Sequence, residues 1–221
     1  MAPMAEIPLL VLDLDGTLVD SLPDLLAALN RLLARRGLAP LAAAEARPMV
    51  GDGVVKLVER ALAARGRAAT PEDRHDFAAD YAAHAMDETR PFPGVAATLA
   101  RLQSEGWRFA VCTNKSAAVA RQLLNDLDLA AWFAAVGGGD SFAAQKPDPR
   151  HLAGTIAQAG GTPARALMAG DHINDIKVAA ALGVPSIFAG WGYGAAVMGE
   201  DATARAASFA ELADLAPRLL F

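Results

Sequence analysis

Short apolar runs and helical repeats of leucine alternate along this chain of 221 residues. Residues 9–12 form a continuous apolar run, which predicts a strand buried on both faces. Over residues 21–36 the leucines recur at helical spacing, and Gly37 follows as a stop signal. Ser21 and Asp24 predict a capping box at the start of this helix.

The next stretch of the chain is helical throughout. Helices are predicted over residues 54–65 and 71–86, and no strand is evident between Asp20 and Thr89. A block without strands cannot belong to a sheet. Residues 20–89 are therefore expected to form an inserted, all-helical second domain.

From residue 107 onward, strands and helices alternate. The predicted strands cover residues 107–112, 134–136, 166–169 and 184–189, and the predicted helices cover residues 116–127, 149–158, 175–182 and 208–220. Such alternation implies a parallel sheet covered by helices on both faces. The predicted fold class is α/β, an open parallel, Rossmann-like sheet built from residues 1–19 and 90–221.

Composition narrows the functional classes. Hydrophobic residues make up 53% and charged residues 20%, which is typical of a folded, soluble chain. The net charge of −5 and the scattered basic residues argue against a nucleic-acid partner. Cys112 is the only cysteine, so no disulfide forms within the chain, and no signal peptide or membrane-spanning run is evident. We expect a cytoplasmic protein with no membrane partner.

Polar residues follow the predicted strands at their carboxyl ends. Asp13 and Asp15 follow the first strand, Thr113 and Asn114 follow the second, and Asp171 follows a later one. Ligands of open parallel sheets bind at this edge. These distant segments are therefore expected to converge on one site.

Such a site would crowd carboxylates together, namely those of Asp13, Asp15, Asp171 and Asp175. Like charges this close repel one another in a partly buried site. A hard cation with oxygen ligands resolves the repulsion, and Mg²⁺ is the usual choice beside a phosphate. Mg²⁺ is therefore the expected cofactor.

The same site also offers groups that bind anions. Lys146, the Thr113 hydroxyl and the Asn114 amide can donate hydrogen bonds to a phosphoryl group. Taken singly, each residue is better explained as a helix cap, a turn or a solvated loop. Their joint occurrence at strand ends favours phosphoryl transfer, with an aspartate nucleophile that forms an acyl-phosphate.

Four motifs of this chain resemble those of the haloacid dehalogenase-like hydrolase superfamily. In chain order they are Asp13-Leu14-Asp15-Gly16-Thr17-Leu18, Thr113-Asn114, Lys146-Pro147-Asp148-Pro149 and Gly170-Asp171-His172-Ile173-Asn174-Asp175. The resemblance covers nearly the whole chain. It implies that residues 20–89 are a mobile cap that closes over the substrate.

The resemblance also implies individual roles. Asp13 would attack phosphorus and bind the metal, and Asp15 would protonate the leaving alcohol, activate water and ligate Mg²⁺ through its carbonyl. Lys146 would neutralise charge. Substrate contacts would come from Thr113, Asn114, Lys146 and Gly16. Asp171 would bind the metal, with Asp175 orienting its waters or Lys146.

Within the superfamily, the chain is most similar to phosphoglycolate phosphatases. The stretches that carry this similarity are 19–25, 50–53, 92–95, Thr113-Asn114-Lys115 and Gly192-Tyr193-Gly194. His172 and Ile173 depart from the family, which often has a small hydroxyl residue and another polar residue there. The implied substrate is a small phosphorylated acid, 2-phosphoglycolate first.

Several alternatives stay open at this point. The substrate could instead be pyrophosphate, a nucleotide or a sugar phosphate. A sugar phosphomutase of the same superfamily would keep Asp13 and Asp15 but shield the phosphoenzyme from water. A non-enzymatic binding protein is a third class, although every residue that the chemistry needs is present. The protein is expected to be a monomer or a homodimer.

Overall fold

The structure is a computed structural model and describes residues 7–220. Its strands are β1 (Leu9–Leu12), β2 (Val19–Asp20), β3 (Arg90–Pro91), β4 (Arg108–Cys112), β5 (Phe133–Gly137), β6 (Ala166–Gly170), β7 (Ser186–Ala189) and β8 (Ala204–Ala206). Its helices are α1 (Leu22–Arg35), α2 (Ala43–Ala46), α3 (Gly53–Ala63), α4 (Pro71–His84), α5 (Val95–Ser104), α6 (Ala117–Asp126), α7 (Pro149–Gln158), α8 (Ile173–Leu182) and α9 (Leu212–Leu220).

Six strands form one parallel sheet in the order β5-β4-β1-β6-β7-β8. The apolar run of β1 lies in the middle of this sheet, hydrogen-bonded to β4 and β6. Leu10 and Leu12 pack into one hydrophobic cluster, and Leu9 and Val11 pack into another. Because alternate residues point to opposite faces, both faces of the sheet are covered. The predicted α/β fold class is confirmed.

The cap helices α1–α4 lie between β2 and β3, which pair with each other in a separate antiparallel ladder. Inside the cap, Arg36 at the end of α1 forms a 2.7 Å ion pair with the buried Asp73 of α4. Thr70 caps α4 by accepting from the Asp73 backbone N–H. The division of the chain at residues 19/20 and 89/90 stays a prediction, and the β2–β3 ladder lies at those two points.

The predicted capping box at Ser21 is wrong. Ser21 makes no side-chain cap bond, because its hydroxyl donates to the Asp15 carboxylate instead. The Asp24 carboxylate accepts from the backbone N–H groups of Glu88 and Thr89, at the other end of the cap. Both side chains thus form hydrogen bonds to residues outside α1.

Five elements of the structure were not predicted from the sequence, namely the helices α2 and α5 and the strands β2, β3 and β8. The helix α5 buries Val95, Leu99 and Leu102 against the core. The edge strand β8 has three residues and an alanine-rich sequence with little strand propensity. No helix in the described part of the chain is long and apolar enough to cross a membrane.

Candidate active site

The carboxyl edge of the sheet brings the predicted carboxylates together. Asp13 follows β1, Asp171 follows β6, and Asp175 lies in the first turn of α8. Each offers one oxygen to a group whose members all lie within 4.8 Å of one another, and all three residues are buried. The neighbouring parallel strands β1 and β6 thus place Asp13 beside Asp171 and Asp175, which are 158 and 162 positions further along the chain.

The Asp13 carboxylate contacts the Lys146 ammonium and a backbone N–H group. Its Oδ1 accepts a 2.7 Å hydrogen bond from the Leu14 backbone N–H and lies 2.9 Å from Lys146 Nζ. Burial raises the pKa of Asp13 to about 6; the Lys146 ammonium opposes this rise and the Asp175 carboxylate adds to it. The Asp13 carboxylate therefore takes up a proton at a higher pH than a free aspartate does.

Lys146 lies between two carboxylates. Its ammonium is 2.6 Å from Asp175 Oδ1 and 2.9 Å from Asp13 Oδ1, and its side chain is 1% exposed. Burial alone would lower the pKa of Lys146, but the two carboxylates outweigh burial and raise it. The ammonium therefore stays charged.

His151 positions the backbone of Lys146. Its Nδ1 accepts from the Lys146 backbone N–H at 3.0 Å, and its Nε2 lies 3.2 Å from the Gly137 carbonyl oxygen. Burial and the Lys146 charge lower the pKa of His151 to about 4, so the imidazole is neutral at pH 7. The sequence did not reveal this role, because His151 is not spaced from the other histidines as metal ligands are.

Asp171 is held by donors from two other segments. Its Oδ1 accepts from the Thr17 hydroxyl at 3.0 Å, and its Oδ2 accepts from the Tyr193 backbone N–H at 2.7 Å. Burial raises the pKa of Asp171 to about 7, and the Asp13 and Asp175 carboxylates add to the rise.

These three crowded carboxylates fit a hard divalent cation. A bound Mg²⁺ would offset the repulsion that raises the pKa values of Asp13 and Asp171, and it prefers oxygen ligands of this kind. Asp175, expected to act from outside the ligand set, lies within reach of the same point. The donor set therefore matches the expected cofactor.

The Asp15 carboxylate is paired with a different lysine. Lys115 Nζ lies 2.9 and 3.0 Å from its two oxygens, and the Ser21 hydroxyl donates to Oδ1. The same ammonium lies 4.5 Å from the centre of the Tyr81 ring. Burial alone would lower the pKa of Lys115, but the Asp15 carboxylate outweighs burial and raises it.

Lys115 and Tyr81 were not among the predicted site residues. Lys115 directly follows the Thr113-Asn114 motif, so its position in the chain was the available signal. Tyr81 lies on the cap helix α4, where only the packing of cap on core reveals what it faces.

Asn114 joins two loops. Its Nδ2 donates to the Gly51 carbonyl at 3.0 Å and to the Lys146 carbonyl at 3.1 Å. Both amide hydrogens, expected for a phosphoryl group, thus hold protein oxygens here. The Thr113 hydroxyl accepts from the Lys115 backbone N–H at 3.2 Å.

Gly16 is required by space. Its φ is +82°, and a Cβ there would lie 2.5 Å from Asp171 Oδ2 and 2.8 Å from the Tyr193 ring. Any side chain would push the Asp171 carboxylate away from its position. Gly16 thus allows the first motif to approach Asp171 closely.

A cavity of about 140 Å³ lies between this carboxyl edge and the cap. Core and cap residues line it, namely Asp13, Asp15, Leu25, Val50, Gly51, Gly53, Val54, Leu57, Ala78, Tyr81, Thr113, Asn114, Lys115, Ser116 and Val119. The floor of the cavity, formed by core residues such as Asp13 and Asp15, is polar. Its roof, formed by cap residues such as Leu25 and Leu57, is mostly apolar. A small ligand could therefore meet Asp13 and Asp15 while shielded from water.

A family model for haloacid dehalogenase-like hydrolases matches residues 7–183. The chain belongs to this family. Curated relatives support the assignment. A phosphoglycolate phosphatase of Agrobacterium fabrum is 44% identical over 191 residues, which cover 84% of this chain and 82% of that protein. One of Mesorhizobium japonicum is also 44% identical over 191 residues, which cover 84% of each.

A solved structure agrees with these relatives. The crystal structure of a predicted phosphoglycolate phosphatase from Haemophilus somnus 129PT superposes with a TM-score of 0.86 and 26% identity. The match covers 96% of this chain and 99% of that one. The predictions of this superfamily and of a phosphoric monoester hydrolase similar to phosphoglycolate phosphatases are confirmed.

One loop of the cap, which contains Gly51 and Asp52, is hydrogen-bonded to the core of this hydrolase. The Asp52 Oδ1 accepts from Asn174 Nδ2 at 2.6 Å, and the Gly51 carbonyl accepts from Asn114. A Cβ at Gly51 would lie 2.6 Å from the His172 ring, so glycine allows the loop to dock there. The ring of His172, whose role the sequence left open, therefore lies against this loop of the cap.

Proposed function

We propose that this hydrolase is a Mg²⁺-dependent phosphatase that releases phosphate from 2-phosphoglycolate through an aspartyl-phosphate intermediate. One observation carries the proposal. The carboxylates of Asp13 and Asp15 line the same small cavity but are paired with different lysines, Lys146 and Lys115. Two carboxylates in separate environments can take separate roles, as nucleophile and as acid or base.

In the first step, a carboxylate oxygen of Asp13 attacks phosphorus. The bond between phosphorus and the ester oxygen breaks, and the alcohol oxygen takes a proton from the Asp15 carboxyl. In the second step, Asp15 accepts a proton from water as the water attacks the acyl-phosphate. The bond between phosphorus and Asp13 breaks, and phosphate leaves.

Asp13, Asp171 and the Asp15 carbonyl would hold Mg²⁺, with Asp175 beside them. When bound, the metal would neutralise charge on the phosphoryl group and keep Asp13 ionised. Lys146, fixed by His151, would hold the Asp13 carboxylate in position.

The substrate assignment rests on size and on relatives. A cavity of about 140 Å³ suits a small ester better than a nucleotide. The curated relatives at 44% identity bear the name phosphoglycolate phosphatase. We propose that residues 20–89 act as the cap, which opens to admit this ester and closes over it.

The test is phosphate release from 2-phosphoglycolate beside pyrophosphate, a nucleoside monophosphate and a sugar phosphate, with Mg²⁺ and with chelator. We expect strong, Mg²⁺-dependent preference for 2-phosphoglycolate. Acid quenching with labelled substrate should trap a phosphoprotein that hydroxylamine cleaves, as an acyl-phosphate does. Preference for another ester would overturn the substrate, and chelator-insensitive turnover would overturn the metal.

A further inference from the structure

Two buried donors stand side by side in the cavity and have no part in the steps above. Lys115 has a side chain that is 8% exposed, and its ammonium lies over the Tyr81 ring. Tyr81 is 3% exposed, lines the same cavity, and its hydroxyl makes no hydrogen bond of ordinary geometry with any residue from 7 to 220. A buried hydroxyl donor needs an acceptor, and in this cavity water or a ligand group can supply one.

The other cap residues that line the cavity have no charged side chain. The cap residues around Tyr81 that line the cavity carry apolar side chains, such as Leu25, Val54 and Leu57. Lys115 supplies positive charge on the wall, and the Tyr81 hydroxyl supplies a neutral donor beside it. A second anionic group of a ligand would therefore be drawn to this pair.

We propose that Lys115 and Tyr81 form a subsite for the carboxylate of the substrate, placed one carbon beyond the ester oxygen. The inference rests on the proposed phosphatase reaction, since it names what that reaction's substrate must carry. Lys115 and Tyr81 would then select phosphate esters of 2-hydroxy acids over phosphate esters that lack a carboxylate.

Distance fixes where the carboxylate lies. An ester oxygen that takes a proton from Asp15 must lie within hydrogen-bond distance of its carboxyl group. Lys115 Nζ is 2.9 Å from that same group. A carboxylate attached through one carbon to the ester oxygen therefore reaches the ammonium.

A purely supporting role for Lys115 is the rival explanation. Its ion pair with Asp15 could simply orient the acid, and loss of the lysine would then slow every ester alike. A carboxylate subsite instead changes the ratio between two esters. The deciding quantity is therefore kcat/KM for 2-phosphoglycolate divided by kcat/KM for ethyl phosphate, which has a methyl group in place of the carboxylate.

The experiment measures this ratio for the wild type, Lys115→Met, Tyr81→Phe and the control Lys56→Met, an exposed lysine of α3 paired with Glu59. We expect the ratio to fall about 100-fold in Lys115→Met and about 10-fold in Tyr81→Phe, because hydrogen-bonding sites lose their discrimination when a partner is removed. The control should keep the wild-type ratio. Thermal melting checks folding, and Tyr81→Phe decides if Lys115→Met does not fold.

Each outcome has a definite reading. Equal losses on both esters in Lys115→Met, with an unchanged ratio in Tyr81→Phe, would overturn the subsite and leave a phosphatase. A wild type that hydrolyses ethyl phosphate as well as 2-phosphoglycolate would do the same. A wild type that hydrolyses no phosphate ester would overturn the proposed function, and the subsite with it.

Discussion

The floor of the cavity consists of buried charged groups, whereas its roof consists mostly of apolar side chains. On the floor, the Asp13 carboxylate contacts the Lys146 ammonium, which also contacts Asp175, and all three charged groups are buried at the carboxyl edge of the sheet. On the roof, Leu25 and Leu57 come from cap helices and present apolar surface. The floor fixes reacting groups through backbone hydrogen bonds, whereas the roof can exclude water and shape the space without holding a charge. Loss of a floor residue should therefore damage the reaction itself, and changes in the roof should alter fit.

The largest expected effect is that of Asp13→Asn on the floor. The amide cannot attack phosphorus, so kcat should fall on the order of 10⁴-fold or more. The fold should persist, because Lys146 keeps Asp175 as a partner. Phosphate release and thermal melting measure the two effects, with the exposed Asp126→Asn as a control for the chemical change. Turnover near the wild-type rate would remove Asp13 as nucleophile.

The next effect is that of Lys146→Met. This change leaves the Asp13 and Asp175 carboxylates buried without their cation, which should cost about 3–5 kcal/mol in the free energy of unfolding. Urea denaturation in chelator measures the loss, with Lys177→Met, an exposed lysine of α8, as control.

The double variant Lys146→Met with Asp175→Asn sharpens this prediction. The second change removes the Asp175 carboxylate, one of the two buried charges left without a cation, and should recover part of the lost stability. A single variant as stable as the control would show that the floor does not depend on this ion pair.

A smaller effect is expected from Gly51→Ala, which should disturb the contact between the cap and the core. The φ of Gly51 is +121° and the new Cβ would strike the His172 ring, so kcat/KM should fall about 10- to 100-fold. Gly37→Ala is the matched control, because Gly37 has a φ of +68° but nothing within 4 Å of an added Cβ. Both variants should lose about 1 kcal/mol or more from backbone strain. If the two variants retain equal activity, closure through residue 51 is not needed.

The smallest effect concerns pH and Mg²⁺ on the floor. Asp13 and Asp171 have native pKa values of about 6 and about 7 against 3.8 for the free side chain. From about pH 4 to 7 the native state therefore holds protons that the unfolded chain has lost, so the contribution of these two carboxyl groups to stability falls as pH rises.

Mg²⁺ competes with these protons, so it should raise the melting temperature more at pH 8 than at pH 5. Thermal scans with Mg²⁺ and with chelator at both pH values measure this difference. Asp171→Asn serves as the comparison, since it should flatten both the pH dependence and the Mg²⁺ response. A larger Mg²⁺ response at pH 5 would contradict the assigned cluster.

The floor could be predicted from the sequence because its residues follow directly on buried strands. Asp13 and Asp171 end apolar runs, and parallel strands bring such ends together whatever the intervening chain does. Ser21 shows the limit of local reasoning. Its sequence context favours a helix cap, but Asp15 lies within its reach in three dimensions and takes its hydroxyl instead.

The roof could not be predicted in the same way. Phe77 and Tyr81 are four residues apart on α4, stack on one another, and are both buried. Helical periodicity shows that both face inward, but only the position of α4 against the core decides that Tyr81 borders the cavity. Lys115 had to be found through its partners, Asp15 and Tyr81, which lie 100 and 34 positions away in the chain.

The two-residue ladder of β2 and β3 has a consequence for how such proteins diversify. Val19 lies opposite Pro91 and Asp20 opposite Arg90, so the chain leaves the sheet domain and returns to it at neighbouring points. Paired strands are separated by only about 5 Å, a gap that a tight turn can bridge. The segment between these two points could therefore be exchanged without moving the strands of the sheet. A lineage could shorten, replace or lose the helical segment while the reacting groups stayed in register, and selectivity could thus evolve separately from chemistry.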